Sequence, residues 1–102
     1  MVQLIMEQME QVGIEGGLSV QQIRSILSQT VLGAAKMVLS KLGSPEELRK
    51  NVAAPNGPTE AGLLALKQFG GDRAIKEAVK STTKRSIEMH RSFMNPNPIK
   101  AK

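Results

Sequence analysis

The stretch that decides the fold class is LSVQQIRSILSQTVLGAAKMVLSKLGSP, Leu18 to Pro45. Its apolar positions Val20, Ile23, Leu27, Val31, Ala34, Val38 and Leu42 recur every three or four residues. That is the period of one helical face and does not fit the two-residue alternation of a half-buried strand. Ser19 stands where an N-cap belongs, and Gln22 follows at the spacing of a capping box. Gly43 is expected to close the helix, after which Ser44-Pro45-Glu46-Glu47 opens another, with proline at the first helical position.

A helix from Ser19 to Leu42 would extend about 36 Å, whereas a compact chain of this size has a diameter of roughly 33 Å. With an apolar stripe from end to end, part of such a helix has to lie against a second chain. An oligomer is therefore expected. Gly33, Ala34 and Ala35 form a small-residue patch at mid-helix that would let another helix approach closely.

The same period continues outward in both directions. In MVQLIMEQMEQVGIEGG, Val2, Ile5, Met6, Met9 and Val12 lie on one side, and Gly16 and Gly17 end the segment. This helix is already running at Met1 with no capping residue before it, as in a chain cut from something longer. Pro45 to Val52 forms a short helix. Thr59 is read as the N-cap of TEAGLLALKQFGG, with Ala61, Leu63, Leu64, Leu66 and Phe69 on its buried side. Asp72 is read as the cap of DRAIKEAVKSTTKRSIEMHRSF, which carries Ile75, Ala78, Val79, Thr82, Ser86 and Met89 on one stripe and Lys76, Lys80 and Lys84 on another. The expected fold is all-α, with about five helices over residues 1–93 and a disordered tail over 94–102.

Composition narrows the function classes. The chain has 102 residues, 40% of them hydrophobic but only 2% aromatic, so its core is aliphatic and methionine-built. It has no cysteine, hence no disulfide framework and no thiolate metal or redox site, and a cytoplasmic location is expected. No apolar run reaches the roughly 18 residues of a membrane span, and Glu7, Glu10 and Glu15 do not suit a signal peptide. The net charge of +5 is spread among interleaved Lys, Arg and Glu, the pattern of a solvated helical surface.

Catalytic constellations are sparse. His90 is the sole histidine, and Glu88, two residues away, faces elsewhere on a helix, so no metal site is expected. Glu46 and Glu47 suit a helix N-terminus. No GxGxxG follows a strand and no GxxxxGK[ST] occurs, so no cofactor-binding residues are assigned. Ser81 to Ser86 lacks a base to activate a nucleophile, and no catalytic residue is assigned. What remains is AAPNGPTEAGLLAL, Ala53 to Leu66, where a Gly- and Pro-bearing loop runs into a helix start. Free backbone N–H groups and the positive end of the helix dipole would suit a carboxylate or phosphate there, although a plain connection between two helices accounts for the same residues.

QTVLGAAKM (Gln29–Met37), LRKNVAAPNGPTEAGLLAL (Leu48–Leu66) and GGDRAIKEAVKSTTKRSIEM (Gly70–Met89) resemble, in order and spacing, the C-terminal dimerisation domain of the pyrroline-5-carboxylate reductase family. The resemblance implies an interleaved homodimer. It also implies a Rossmann domain, absent from this stretch of sequence, that would bind NAD(P)H for the reduction of pyrroline-5-carboxylate to proline. In the family the loop reads approximately VTSPGGTTxAGL and holds the substrate carboxylate. Val52, Pro55, Gly57, Thr59, Ala61 and Gly62 match that pattern, which implies a substrate-binding set of Val52, Asn56, Gly57, Pro58 and Thr59. The departures are Ala53, Ala54, Asn56 and Pro58. Pro58 has no N–H and so removes a potential donor, whereas Asn56 tolerates a left-handed backbone better than most residues.

Two other readings follow from the residues. A diverged helical dimer could serve protein interaction without reductase activity. A basic nucleic-acid binder would use Lys76, Lys80, Lys84, Arg85 and Arg91, but the poverty of aromatics argues against recognition of single strands by stacking, and neither a nucleic-acid nor a membrane partner is expected.

Overall fold

The computed structural model describes residues 1–94. Five helices follow in order: α1 (Val2–Glu15), α2 (Val20–Leu39), α3 (Pro45–Val52), α4 (Pro58–Gln68) and α5 (Gly71–Met94). No strand occurs among the described residues, so the all-α expectation holds. Met94 ends α5, and the remainder of the expected tail, 95–102, lies outside the described residues. No described helix is long and apolar enough to cross a membrane.

The chain divides into two units, one from Met1 to Val52 and one from Ala53 onward. In the first, α1 and α2 form a helical hairpin. Gly13 makes the close approach possible, because a Cβ there would lie 2.6 Å from the Ile23 side chain. Ile23 and Leu27, on the α2 stripe, are the buried hydrophobic residues of this contact. One ion pair bridges the two helices: Arg24 donates from Nε and Nη2 to the Glu10 carboxylate at 3.1–3.3 Å. Through that hydrogen bond first and its charge second, Glu10 holds the Arg24 guanidinium above its ordinary pKa. The arginine is exposed, so the pair fixes the register of the hairpin more than its stability.

The starts of α2 and α3 follow the sequence closely. Ser19 Oγ accepts from the Gln22 N–H at 3.1 Å while Gln22 Oε1 accepts from the Ser19 N–H at 2.9 Å, completing the capping box. Ser44 and Glu47 exchange the same two bonds at the start of α3. Asp72 differs from its expected role: α5 already begins at Gly71, so the acid lies inside the first turn, where its charge still favours the helix dipole.

Helix ends differ more. α2 stops at Leu39 rather than Leu42, because Lys41 turns left-handed at φ 58°. The Lys41 N–H bonds the Val38 carbonyl and the Leu42 N–H bonds the Met37 carbonyl, the paired bonds of a Schellman motif. Leu42 keeps the apolar spacing because an apolar residue just beyond such a turn is usual, so periodicity overran the true end. Gly43 has no positive φ and is not the terminator. At 20 residues, α2 is about 30 Å long and fits within one compact chain. What calls for a second chain is its uncovered stripe.

That stripe is covered only in its first half. Beyond Val31, which is half-buried, Ala34, Met37 and Val38 are exposed. Met37, Val38, Leu48 and Val52 line an open apolar groove of about 300 Å³ between α2 and α3. At Gly33, in the small-residue patch, a Cβ would meet nothing within 4 Å. In the second unit α4 packs on α5, yet neither helix buries a residue fully, and Leu64, Leu66, Ile75 and Val79 remain exposed.

α1 and α4 end on the left-handed glycines Gly17 and Gly70, with φ 101° and 76°, whereas α2 makes the same turn with a lysine. A left-handed non-glycine residue costs about 1–2 kcal/mol. Lys41→Gly is expected to stabilise the chain by about 1 kcal/mol, read as a higher urea midpoint at unchanged slope and fixed protein concentration. A lower midpoint would contradict this account of the α2 terminus.

Candidate functional site

The loop after α3 is a tight turn built by Pro55 and Asn56. The Gly57 N–H bonds the Ala54 carbonyl at 3.0 Å, Pro55 holds the second turn position, and Asn56 holds the third at φ 62°. Proline followed by a residue of positive φ is the signature of a type II turn. Asparagine is the non-glycine residue best suited to that third position. Gly57 is needed for a different reason: a Cβ there would lie 3.1 Å from the Ala54 carbonyl oxygen.

α4 then starts earlier than the sequence reading places it. Gly57 is the N-cap and Pro58 the first helical residue, so Thr59 is the second residue of the helix and not its cap. Proline at this position has its φ already set and lacks an N–H that would have no intrahelical acceptor anyway. The first helical bond runs from the Ala61 N–H to the Gly57 carbonyl at 3.2 Å. The Thr59 and Glu60 N–H groups therefore emerge from the helix end without intrahelical acceptors, with the Thr59 hydroxyl beside them on an exposed residue.

Glu60 is the residue the sequence reading missed. Its Oε1 reaches back past the N-cap and accepts the Asn56 N–H at 3.1 Å. Counted from Gly57, Glu60 occupies the third helical position, where a capping-box acid is expected. Counting from Thr59 had hidden that signal.

Of the five candidate residues, Asn56, Gly57, Pro58 and Thr59 are contiguous around this helix start, and Val52 closes α3 in the other unit. His90 is exposed on α5. The α5 cations are partly paired within the helix, Lys80 with Glu77 at 3.7 Å and Arg85 with Glu88 at 3.4 Å. No cluster of acids and histidine able to hold a metal occurs among the described residues.

A helix N-terminus with two free amides and a hydroxyl can hold a small anion. Residues 1–89, which include this loop, match the family described as pyrroline-5-carboxylate reductase dimerisation. The chain belongs to this family. It is 52% identical over 85 residues to pyrroline-5-carboxylate reductase 1 of Bacillus spizizenii, covering 83% of the chain and 29% of that relative. A Pseudomonas aeruginosa pyrroline-5-carboxylate reductase is 37% identical over 86 residues, 84% of the chain and 32% of the relative. In three dimensions the chain is similar to the Plasmodium falciparum pyrroline carboxylate reductase crystallised with NADP bound, at a TM-score of 0.79 and 27% identity over 86% of this chain and 36% of that one. The Streptococcus pyogenes 1-pyrroline-5-carboxylate reductase gives a TM-score of 0.77 at 26% identity over 82% of this chain and 32% of the other. The chain thus spans about a third of the length of the family members it matches.

Strain in the turn is directly measurable. Asn56→Ala is expected to lower stability by about 1 kcal/mol, because alanine lacks the local hydrogen bonding that eases asparagine into positive φ. Asn56→Gly is expected to match or exceed the parent. Both are read from urea midpoints at one protein concentration, and an unchanged alanine variant would argue against a left-handed residue 56.

Proposed function

We propose that this chain is the dimerising and substrate-carboxylate-binding half of a pyrroline-5-carboxylate reductase, working in the cytoplasm with a Rossmann domain that carries NAD(P)H. The observation that carries this reading is the family match across residues 1–89, which takes in the turn and helix start at Asn56–Glu60. The described residues, all helices and connections, offer no strand, glycine-rich turn and helix for a dinucleotide. The reducing chemistry is therefore assigned to the other domain, and no step of it to residues of this chain.

This chain's share is binding and orientation. The substrate is a cyclic imine bearing one carboxylate, and reduction requires its imine carbon to be held in a fixed pose. Anchoring the carboxylate on the Thr59 and Glu60 N–H groups and the Thr59 hydroxyl fixes one end of the molecule, and the positive helix end favours its charge. Asn56 and Gly57 shape the backbone behind the anchor, and Val52 leads into it along the chain. Pro58 leaves the cradle one donor short of a loop with another residue there.

The dimer follows from the uncovered apolar faces of α1, α2, α4 and α5. A homodimer burying them is the expected species. Sedimentation at micromolar concentration is expected to show a dimer or a multiple of it, and a monomer would overturn the dimerising role.

Pro58 also motivates a second reading, a helical dimer retained for protein interaction after loss of reductase activity. Joining the chain to the Rossmann half of a related reductase and assaying proline formation separates the two. Turnover is expected, with Pro58→Thr lowering KM by about three- to tenfold through one added bond to a charged group. No turnover in either form would favour the second reading.

A further inference from the structure

The bond from the Asn56 N–H to Glu60 Oε1, 3.1 Å long, raises a question of charge. If the helix start receives a carboxylate, the reading of the preceding subsection on which this inference rests, a second carboxylate beside it is electrostatically unfavourable. Capping alone does not call for this geometry either, because a capping-box acid returns to the N-cap N–H. Here the N-cap N–H, that of Gly57, is already bonded to the Ala54 carbonyl. Glu60 instead takes the amide one residue earlier, at the left-handed Asn56.

The result is a ring closed by a side chain. It runs from Asn56 through Gly57, Pro58 and Thr59 to Glu60 and returns through the Glu60 carboxylate to the Asn56 amide. Inside the ring lie the two residues of the helix start that present the Thr59 donors and lack the Pro58 one. Outside it the chain has little to hold the turn, since Asn56, Pro58 and Thr59 are all exposed and the other bond across the turn is Gly57 to Ala54.

We propose that Glu60 is a positioning residue of the carboxylate cradle: by accepting the Asn56 N–H it holds the left-handed turn that sets the direction of the Thr59 and Glu60 amides. It acts through the backbone and not by touching the ligand. Its useful property is a side-chain oxygen at the right reach, and its negative charge is tolerated. Releasing the bond lets Asn56 leave its left-handed conformation, and apparent affinity falls in proportion to the fraction of chains still holding the competent turn.

The test uses the full chain, L-proline as probe, and the backbone amide resonances of residues 54 to 61. In the parent chain L-proline is expected to shift the Thr59 and Glu60 amides saturably, with the Asn56 amide downfield and slow to exchange. Glu60→Ala removes the acceptor: the Asn56 amide moves upfield, exchanges faster, and L-proline affinity falls about three- to tenfold. Glu60→Gln keeps an oxygen at the same reach without the charge, and both readouts are expected to return to parent values or better. Glu60→Asp keeps the charge but shortens the reach, so it is expected to behave like the alanine variant and serves in its place should that variant unfold.

Glu60→Gln binding as poorly as Glu60→Ala would overturn the positioning role in favour of charge. So would an aspartate variant that binds as the parent does. If the parent binds L-proline and the alanine variant binds it equally, the positioning role falls and the carboxylate site stands. If L-proline moves no loop amide in the parent although the Asn56 amide still responds to Glu60→Ala, the carboxylate site falls and the positioning role falls with it.

Discussion

Everything in this chain depends on an apolar surface that one copy does not cover. Among the described residues Ile23 and Leu27 are the buried hydrophobic ones, while Leu4 and Ile26 of the first unit and Leu64 and Ile75 of the second keep about half their surface in water. Fully burying such a side chain contributes about 1.5–3 kcal/mol. Two buried side chains are a hinge point for a hairpin and not the core of a domain. The helices are locally well specified by caps and periodicity, but their apolar faces remain largely uncovered among the described residues, as suits a dimerisation domain. For such a chain stability and protein concentration are inseparable.

That division of labour explains the residue choices. At the α1–α2 contact the chain spends a glycine, Gly13, to let Ile23 in, and adds the Glu10–Arg24 pair to fix the register. Along the open half of α2 it places Gly33, Ala34 and Ala35, whose small size lets a facing helix come near. Long aliphatic side chains flank that patch and line the groove against α3. Both features are left open within the first unit.

Much of this was legible in the sequence because it is written in local signals. The five helices, the two capping boxes and the start of α3 at Pro45 follow from period and cap residues. The boundaries that slipped did so for two identifiable reasons. Periodicity does not register a left-handed turn made without glycine, so it carries the expected α2 on to Leu42, past Lys41. Thr59 looks like a cap because threonine caps helices, yet Pro58 is better suited to the first helical position and moves the start forward. That shift of two residues also concealed Glu60, whose role exists only when counted from Gly57. The fourfold grouping at Asn56–Thr59 was readable because it is contiguous. Val52 belongs to another helix and another unit, where sequence adjacency does not establish a shared site.

On the proposed reading, the turn before α4 is what fits this helix start to receive a carboxylate. A helix end offers an anion up to four amides, and here one is lost to Pro58 and the Gly57 amide faces back into the turn. The two that remain are adjacent, on Thr59 and Glu60, and Thr59 also carries a hydroxyl. Fewer donors place more weight on their direction, because a charged ligand gains most from bonds near 2.7–2.9 Å and loses steeply off axis. Direction in this loop is set by the left-handed backbone at Asn56, and that backbone is tied from below by the first turn of the helix it precedes. Pro58 stiffens the same segment by fixing φ. A cradle with few donors and a stiff frame gives up some attraction and recovers it as order present before the ligand arrives.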